Sequence, residues 1–188
     1  MTSAAPALIL IDMQNCMADP AAGIRNNPQA EECIGQLLAA WRARAAPVVH
    51  VRHISRNPQS MFAPGQPGCA FQARFAPLDG EHVVEKNVPD AFIHSGLERW
   101  LHVRGITQLV LVGVSTNNSV ESSARSAGNL GFQTTVVADA TFAFAQVDYA
   151  GTMRSADEVH SMSLANLSGE YAEVTVSKQV ISSLARGL

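Results

Sequence analysis

Six short apolar runs, each followed by a segment of different periodicity, constrain this chain more than any other feature. They are Ala7–Ile11, Val48–Ile54, His82–Glu85, Leu109–Val114, Thr134–Ala138 and Ala172–Val176. The Leu109–Val114 run is unbroken and bounded by turn residues, which fits a strand buried on both faces of a parallel sheet. Between the runs, apolar residues fall at helical spacing. Ile34, Leu37, Leu38 and Trp41 predict a helix over Gln29–Arg44, and Leu97, Leu101 and Val103 another over His94–Arg104, capped by Gly105. Val120, Ala124, Ala127 and Leu130 predict a helix that stops at Gly131. Ser155 caps one reaching Leu167, and Ser177 caps a closing helix that ends near Leu184. Strands that alternate with helices predict an α/β domain, with a mostly parallel sheet covered by helices on both faces and right-handed crossovers.

The chain has 188 residues, enough for one domain over 1–188. A net charge of −3 with no basic block argues against nucleic acid or an anionic membrane as partner. Cys16, Cys33 and Cys69 form an odd set without metal-ligand spacing, which suggests a reducing compartment. Met1-Thr2-Ser3 carries no basic segment of a secretory leader, and no apolar run reaches the roughly 20 residues of a membrane span. A cytoplasmic location is expected. Ser55–Gly80 reads as a long loop, and Thr141–Arg154 as a second loop rich in aromatic and small residues. Loops this long inside a compact domain are usually functional or mobile.

Three polar groups stand where apolar runs end: Asp12, Lys86 and, one turn into the helix after the fourth run, Ser119. Parallel strands would bring all three to one carboxyl edge, where open α/β sheets bind ligands. Lys86 beside Asp12 would hold the carboxylate ionised. Asp12 could then take a proton from a nucleophile or give one to a leaving group. Backbone N–H groups at the turn Ser115–Ser119 make an oxyanion site, with those of Ser115 and Ser119 the expected donors. The hydroxyl of Ser119 is a weak nucleophile until a base activates it, and Lys86 is a candidate activator. Gly113-Val114-Ser115-Thr116-Asn117 lacks the second glycine of a nucleophile elbow. His50 and His53 are spaced like metal ligands, but on a strand an offset of three sends them to opposite faces, so both are expected to be structural. No metal or other cofactor is expected.

The blocks Leu8–Asn15, Val83–Phe92 and Val112–Arg125, in that order, resemble the isochorismatase-like cysteine hydrolases over nearly the whole chain. The resemblance implies a three-layer sandwich with a six-stranded parallel sheet, a homo-oligomer (dimer or tetramer) and hydrolysis of a small-molecule substrate without an organic cofactor. It implies Asp12 as general acid/base, Lys86 as its electrostatic partner and residue 119 as the nucleophile position. It also implies a cis peptide at Val114–Ser115 that shapes the oxyanion hole, with Gln14 and Asn118 beside the substrate. The family's nucleophile is Cys, and this chain has Ser119. Three readings of that difference are open: a working serine in amide or ester hydrolysis, a replaced Cys, or the nucleophile-free branch in which Asp protonates a vinyl ether. A member that binds a ligand or partner without turnover is the alternative to an enzyme. Cys16 also stands where the family commonly has Asp, and the thiol is expected to be unreactive.

Overall fold

A computed structural model describes residues 5–186; the reading of Met1–Ser3 lies outside them. The elements run β1 (Ala7–Ile11), α1 (Asn15–Ala18), α2 (Ala30–Arg42), β2 (Val48–His53), β3 (His82–Lys86), α3 (Leu97–Val103), β4 (Gln108–Val114), α4 (Glu121–Asn129), β5 (Gln133–Phe142), β6 (Gln146–Val147), β7 (Met153–Arg154), α5 (Ala156–Leu167), β8 (Glu173–Thr175) and α6 (Ser177–Arg186). Six of the strands form one sheet in the order β3-β2-β1-β4-β5-β8. Every neighbouring pair is parallel. Among the described residues no helix is long and apolar enough to cross a membrane.

The central strands β1 and β4 are buried on both faces, which is why their sequences show no alternation. The edge strand β3 alternates instead, with Val84 and Lys86 turned inward. Two apolar layers result. Ile9, Ile11, Val51, Leu109 and Leu111 pack under α3, α4 and α5, together with Leu97, Leu101, Ala124, Ala127 and Leu167. Leu8, Leu10, Val110 and Val112 pack on the other face under α2 and α6, with Ile34, Leu37, Trp41, Val180 and Leu184. Each such large side chain contributes roughly 1.5–3 kcal/mol when fully buried.

The structure departs from the expected elements in three places. Asn15–Ala18 is a helical turn within Met13–Pro28, whose polar sequence and turn signals at Asp19-Pro20 and Asn27-Pro28 predict irregular structure. The strand expected over Thr134–Ala138 continues as β5 to Phe142. Its pairing to β4 skips from Leu111↔Val136 to Gly113↔Thr141, so Val137–Ala140 bulges out of that ladder, Val137 still pairing with Thr175 of β8, before the chain rejoins β4. Asp139 therefore marks the bulge rather than a strand end, and it caps α6 by accepting from Ser177 N (2.7 Å) and Ser177 Oγ (2.7 Å). Asn27 fastens the bulge, its Nδ2 donating to Ala138 O (2.8 Å) and Thr141 O (2.7 Å). Third, the expected loop after Thr141 carries the antiparallel hairpin β6–β7. A bulge of this kind is hidden in the sequence, because the skipped residues Val137 and Ala138 continue the apolar run.

His50 and His53 do point to opposite faces. His50 is buried on the α2 side with Nε2 2.8 Å from Glu81 Oε2. Glu81 also accepts from Arg42 Nε (2.7 Å), Arg42 Nη2 (2.9 Å) and Leu78 N (2.8 Å). This cluster ties the end of the long loop to α2. Burial would raise the Glu81 carboxyl, but Arg42, Leu78 N–H and His50 outweigh it and hold it at about 2.

The close approach of strands and the Glu81 cluster can each be tested. A Cβ at Gly113 would sit 2.1 Å from Ile11 O, at a φ of +118°. Gly113→Ala should lower the unfolding free energy by about 3 kcal/mol or more, read from denaturant midpoints. Glu81 ionises more readily folded than unfolded, so its contribution is complete above its ordinary value of 4.5 and lost as pH falls toward 2. Glu81→Gln should remove on the order of 1 kcal/mol at neutral pH, less than the full shift because solvent screens part of the cluster. The same variant should flatten the acid limb of the stability curve between those two values.

Candidate active site

The parallel sheet carries Asp12, Lys86 and Ser119 to the same edge. Asp12 follows β1 directly, with a left-handed backbone (φ 53°) that Asp tolerates better than most residues. Its N–H still donates to Val51 O at 2.9 Å as a rung of the β1–β2 ladder, and the left-handed backbone then turns the chain, with the side chain set at the carboxyl ends of the strands. Lys86 is the last residue of β3, two strands from β1. Two strand spacings amount to roughly 10 Å, so an extended lysine stem is needed to cover the distance. Ser119 lies in a π-helical turn, Thr116–Val120, that joins β4 to α4. Such turns are rare and frequent at functional sites.

Lys86 Nζ is the meeting point. It donates to Asp12 Oδ2 at 2.7 Å and to Ser119 Oγ at 3.1 Å. The Lys86 side chain is 0% exposed and that of Asp12 6%. Asp12 Oδ1 is buried without a hydrogen-bond partner among the described residues. An unsatisfied buried carboxylate oxygen requires an explanation, and here it is the atom left over for a proton or a ligand. Burial pushes the Asp12 carboxyl above its ordinary range, against the pull of Lys86 and of the Ser119 hydroxyl. The expectation that Lys86 holds the carboxylate ionised meets an opposing influence, because withdrawal from water is the larger of the two.

The turn itself supplies donors. The N–H groups of Ser115, Thr116 and Asn117 donate to no backbone acceptor among the described residues. The Val114–Ser115 peptide is cis. Val114 is fully buried and Ser115 half-buried, and Ser115 O accepts from Asn118 N (3.1 Å) and Val120 N (3.2 Å). Asn118 is exposed, with its N–H turned back onto Ser115. Gln14 is fully buried, and its amide is engaged by backbone. Nε2 donates to Cys69 O (2.8 Å) and His53 O (3.0 Å), and Oε1 accepts from His53 N (2.8 Å). Gln14 thus pins the long loop and the end of β2 beside Asp12. Asn15 N→Ala70 O (2.9 Å) and Gln72 N→Met13 O (3.0 Å) complete that seam.

Cys16 is buried against the same seam, and burial pushes its thiol up to about 12. It stays protonated and cannot stand in for a thiol at position 119. His53 is a neighbour of the site that sequence reasoning passes over. In the β2–β3 register it is the partner of Lys86, which places the two side chains on one face of the sheet. Burial and the Lys86 charge both push its imidazole down, while Asp12 pulls it up. The pairing register, not the spacing from His50, carries that information.

Residues 6–179 match the Isochorismatase domain. The isochorismatase family protein YrdC of Bacillus subtilis is 37% identical over 176 residues, 94% of each chain. Nicotinamidase 3 of Arabidopsis thaliana is 27% identical over 179 residues, 88% of this chain and 82% of its own. The crystal structure of an isochorismatase-family protein from Chromobacterium violaceum superposes with a TM-score of 0.95 at 49% identity, covering 99% of this chain and 96% of the other. The six-stranded parallel sheet, the match over residues 6–179 and these relatives agree, and the chain belongs to the isochorismatase family of hydrolases.

Proposed function

We propose that this hydrolase cleaves a small-molecule C–N amide bond, with Ser119 as nucleophile, Asp12 as acid/base and Lys86 as the charge between them. The observation that carries the reading is the ammonium of Lys86 held simultaneously on Asp12 Oδ2 and Ser119 Oγ, with Asp12 Oδ1 unpartnered. Lys86 occupies a lone pair of Ser119 Oγ, which leaves the hydroxyl hydrogen free to be given to Asp12 Oδ1. As Oγ attacks the carbonyl carbon, its proton passes to Asp12 and the Lys86 charge stabilises the developing alkoxide. Backbone N–H groups of the Ser115–Ser119 turn receive the oxyanion. Collapse breaks the C–N bond, and Asp12 returns the proton to the leaving nitrogen. Water then attacks the acyl ester, giving its proton to Asp12, and the carboxylic acid leaves as Ser119 recovers its hydrogen.

A carboxyl pushed upward by burial suits this exchange, because it accepts a proton more readily than an ordinary carboxylate. The amide preference is supported by a relative whose name is nicotinamidase. The hydroxyl at 119 favours a second reading, the nucleophile-free hydrolysis of a vinyl ether, in which Asp12 protonates carbon and water adds without an acyl intermediate.

Activity against a panel of small amides and aryl esters separates these readings. Asp12→Asn should lower kcat/KM at least about a thousandfold with the folded structure retained by circular dichroism. The unmodified protein should give a mass-detectable acyl adduct on Ser119 with a slow ester, and Ser119→Ala should abolish it. Amide turnover that survives Ser119→Ala would remove serine from the mechanism, whereas turnover of a vinyl ether and of no amide or ester would favour the second reading. Full activity in Asp12→Asn would refute both.

A further inference from the structure

The reactive turn is held from behind by a polar cluster that the chemistry above does not use. Thr116, which follows the Val114–Ser115 peptide and stands three residues before Ser119, is fully buried. Its Oγ1 lies 2.8 Å from His160 Nδ1, on α5. Its carbonyl lies 2.9 Å from Ser163 Oγ, one turn further along the same helix. Residues three apart on a helix share a face, so α5 presents both groups to the one residue.

The two ties are unequal. Ser163 Oγ is also 2.6 Å from Glu121 Oε2, and its single hydrogen cannot serve the carboxylate and the Thr116 carbonyl at once. The anionic partner takes it preferentially. The imidazole is better committed. Asn27 Nδ2 lies 3.4 Å from His160 Nε2, but both of its hydrogens go to Ala138 O and Thr141 O. A neutral ring carries one hydrogen, and with it on Nε2 the other nitrogen, Nδ1, accepts from the Thr116 hydroxyl 2.8 Å away. Burial pushes the imidazole toward its neutral form, against the pull of Asp157.

We infer that His160 is a positioning residue: by accepting the Thr116 hydroxyl it sets the depth of the π-helical turn, and through it the aim of residue 119 and of the unpaired N–H groups at Ser115–Asn117. The bulge of β5 completes the chain of contacts, since Asn27 holds the Ala138 and Thr141 carbonyls with its Nδ2, 3.4 Å from His160 Nε2. The inference rests on the hydrolase reading of the site, in that it supposes residue 119 to be the reacting group. Misplacement of a reacting group by about 1 Å is enough for roughly a hundredfold loss of rate.

The test reads nucleophile placement without a known substrate. In a Ser119→Cys parent, the thiol introduced at 119 faces the Lys86 ammonium, and its alkylation by iodoacetamide is followed by peptide mass spectrometry alongside Cys16, Cys33 and Cys69. The parent should react at 119 at least about tenfold faster than free glutathione at the same pH. Added to the parent, His160→Phe and Thr116→Val should each slow alkylation at 119 by roughly ten- to a hundredfold, with Cys16 and Cys69 unaffected. His160→Asn, which returns an acceptor near Nδ1, and Thr116→Ser, which returns the hydroxyl, should restore the rate to within about threefold of the parent. Combining His160→Phe with Thr116→Val should be no slower than the slower single change, because both break one bond. Thr116→Val preserves volume and reports even where His160→Phe fails to fold. A merely structural histidine would lower the melting temperature and leave the rate of the folded protein unchanged. Parent-like alkylation in Thr116→Val, or failure of both conservative variants to restore it, overturns the inference while the hydrolase reading stands. A parent no faster than glutathione overturns the proposed role of residue 119 as nucleophile and this inference together.

Discussion

A lysine ammonium sealed away from water is the interaction on which the site depends. Removing such a charge from solvent costs several kcal/mol, and only close partners of good geometry offset it. Lys86 has two, the Asp12 carboxylate and the Ser119 hydroxyl, and each comes from a different crossover of the sheet. Their convergence is a property of strand order. Only with β1 beside β4, and β3 one strand beyond β2, can an extended lysine reach both. The stability of the pair and its chemistry are coupled, because the same desolvation that raises the Asp12 carboxyl strengthens every electrostatic contact around it.

Close approach of backbones supports this geometry. Gly113 lies against Ile11 with no room for a Cβ, which brings the exits of β1 and β4 together where Asp12 and the Val114–Ser115 peptide begin. From the sides, Gln14 fastens the long loop and α5 fastens the turn. Backbone contacts therefore surround the three groups, one of which keeps an unpartnered oxygen, Asp12 Oδ1.

Much of this is legible in the residues. Continuous apolar runs imply buried parallel strands, and parallel strands share one carboxyl edge, so Asp12, Lys86 and Ser119 group together from the sequence alone. What is not legible depends on pairing. The bulge at Val137–Ala140 opens with residues that suit a strand, so only the register to β4 exposes it. The proximity of His53 to Lys86 is likewise a register fact. The family resemblance places Gln14 beside the substrate. Its polar atoms instead meet main-chain groups of residues 53 and 69, which no local pattern announces. The role of His160 needs three segments in contact, from Asn27, Thr116 and α5, far apart in the chain.

The burial of the sulfur atoms has a consequence for how this protein ages. A reactive thiol at position 119 would be open to stepwise oxidation by peroxides, the last steps irreversible. Here the position carries oxygen, Cys16 is sealed with a protonated sulfur, and burial pushes the Cys33 thiol upward as well. Sulfur oxidation follows thiolate character and access, so position 119, which carries oxygen, offers a peroxide no thiol to attack.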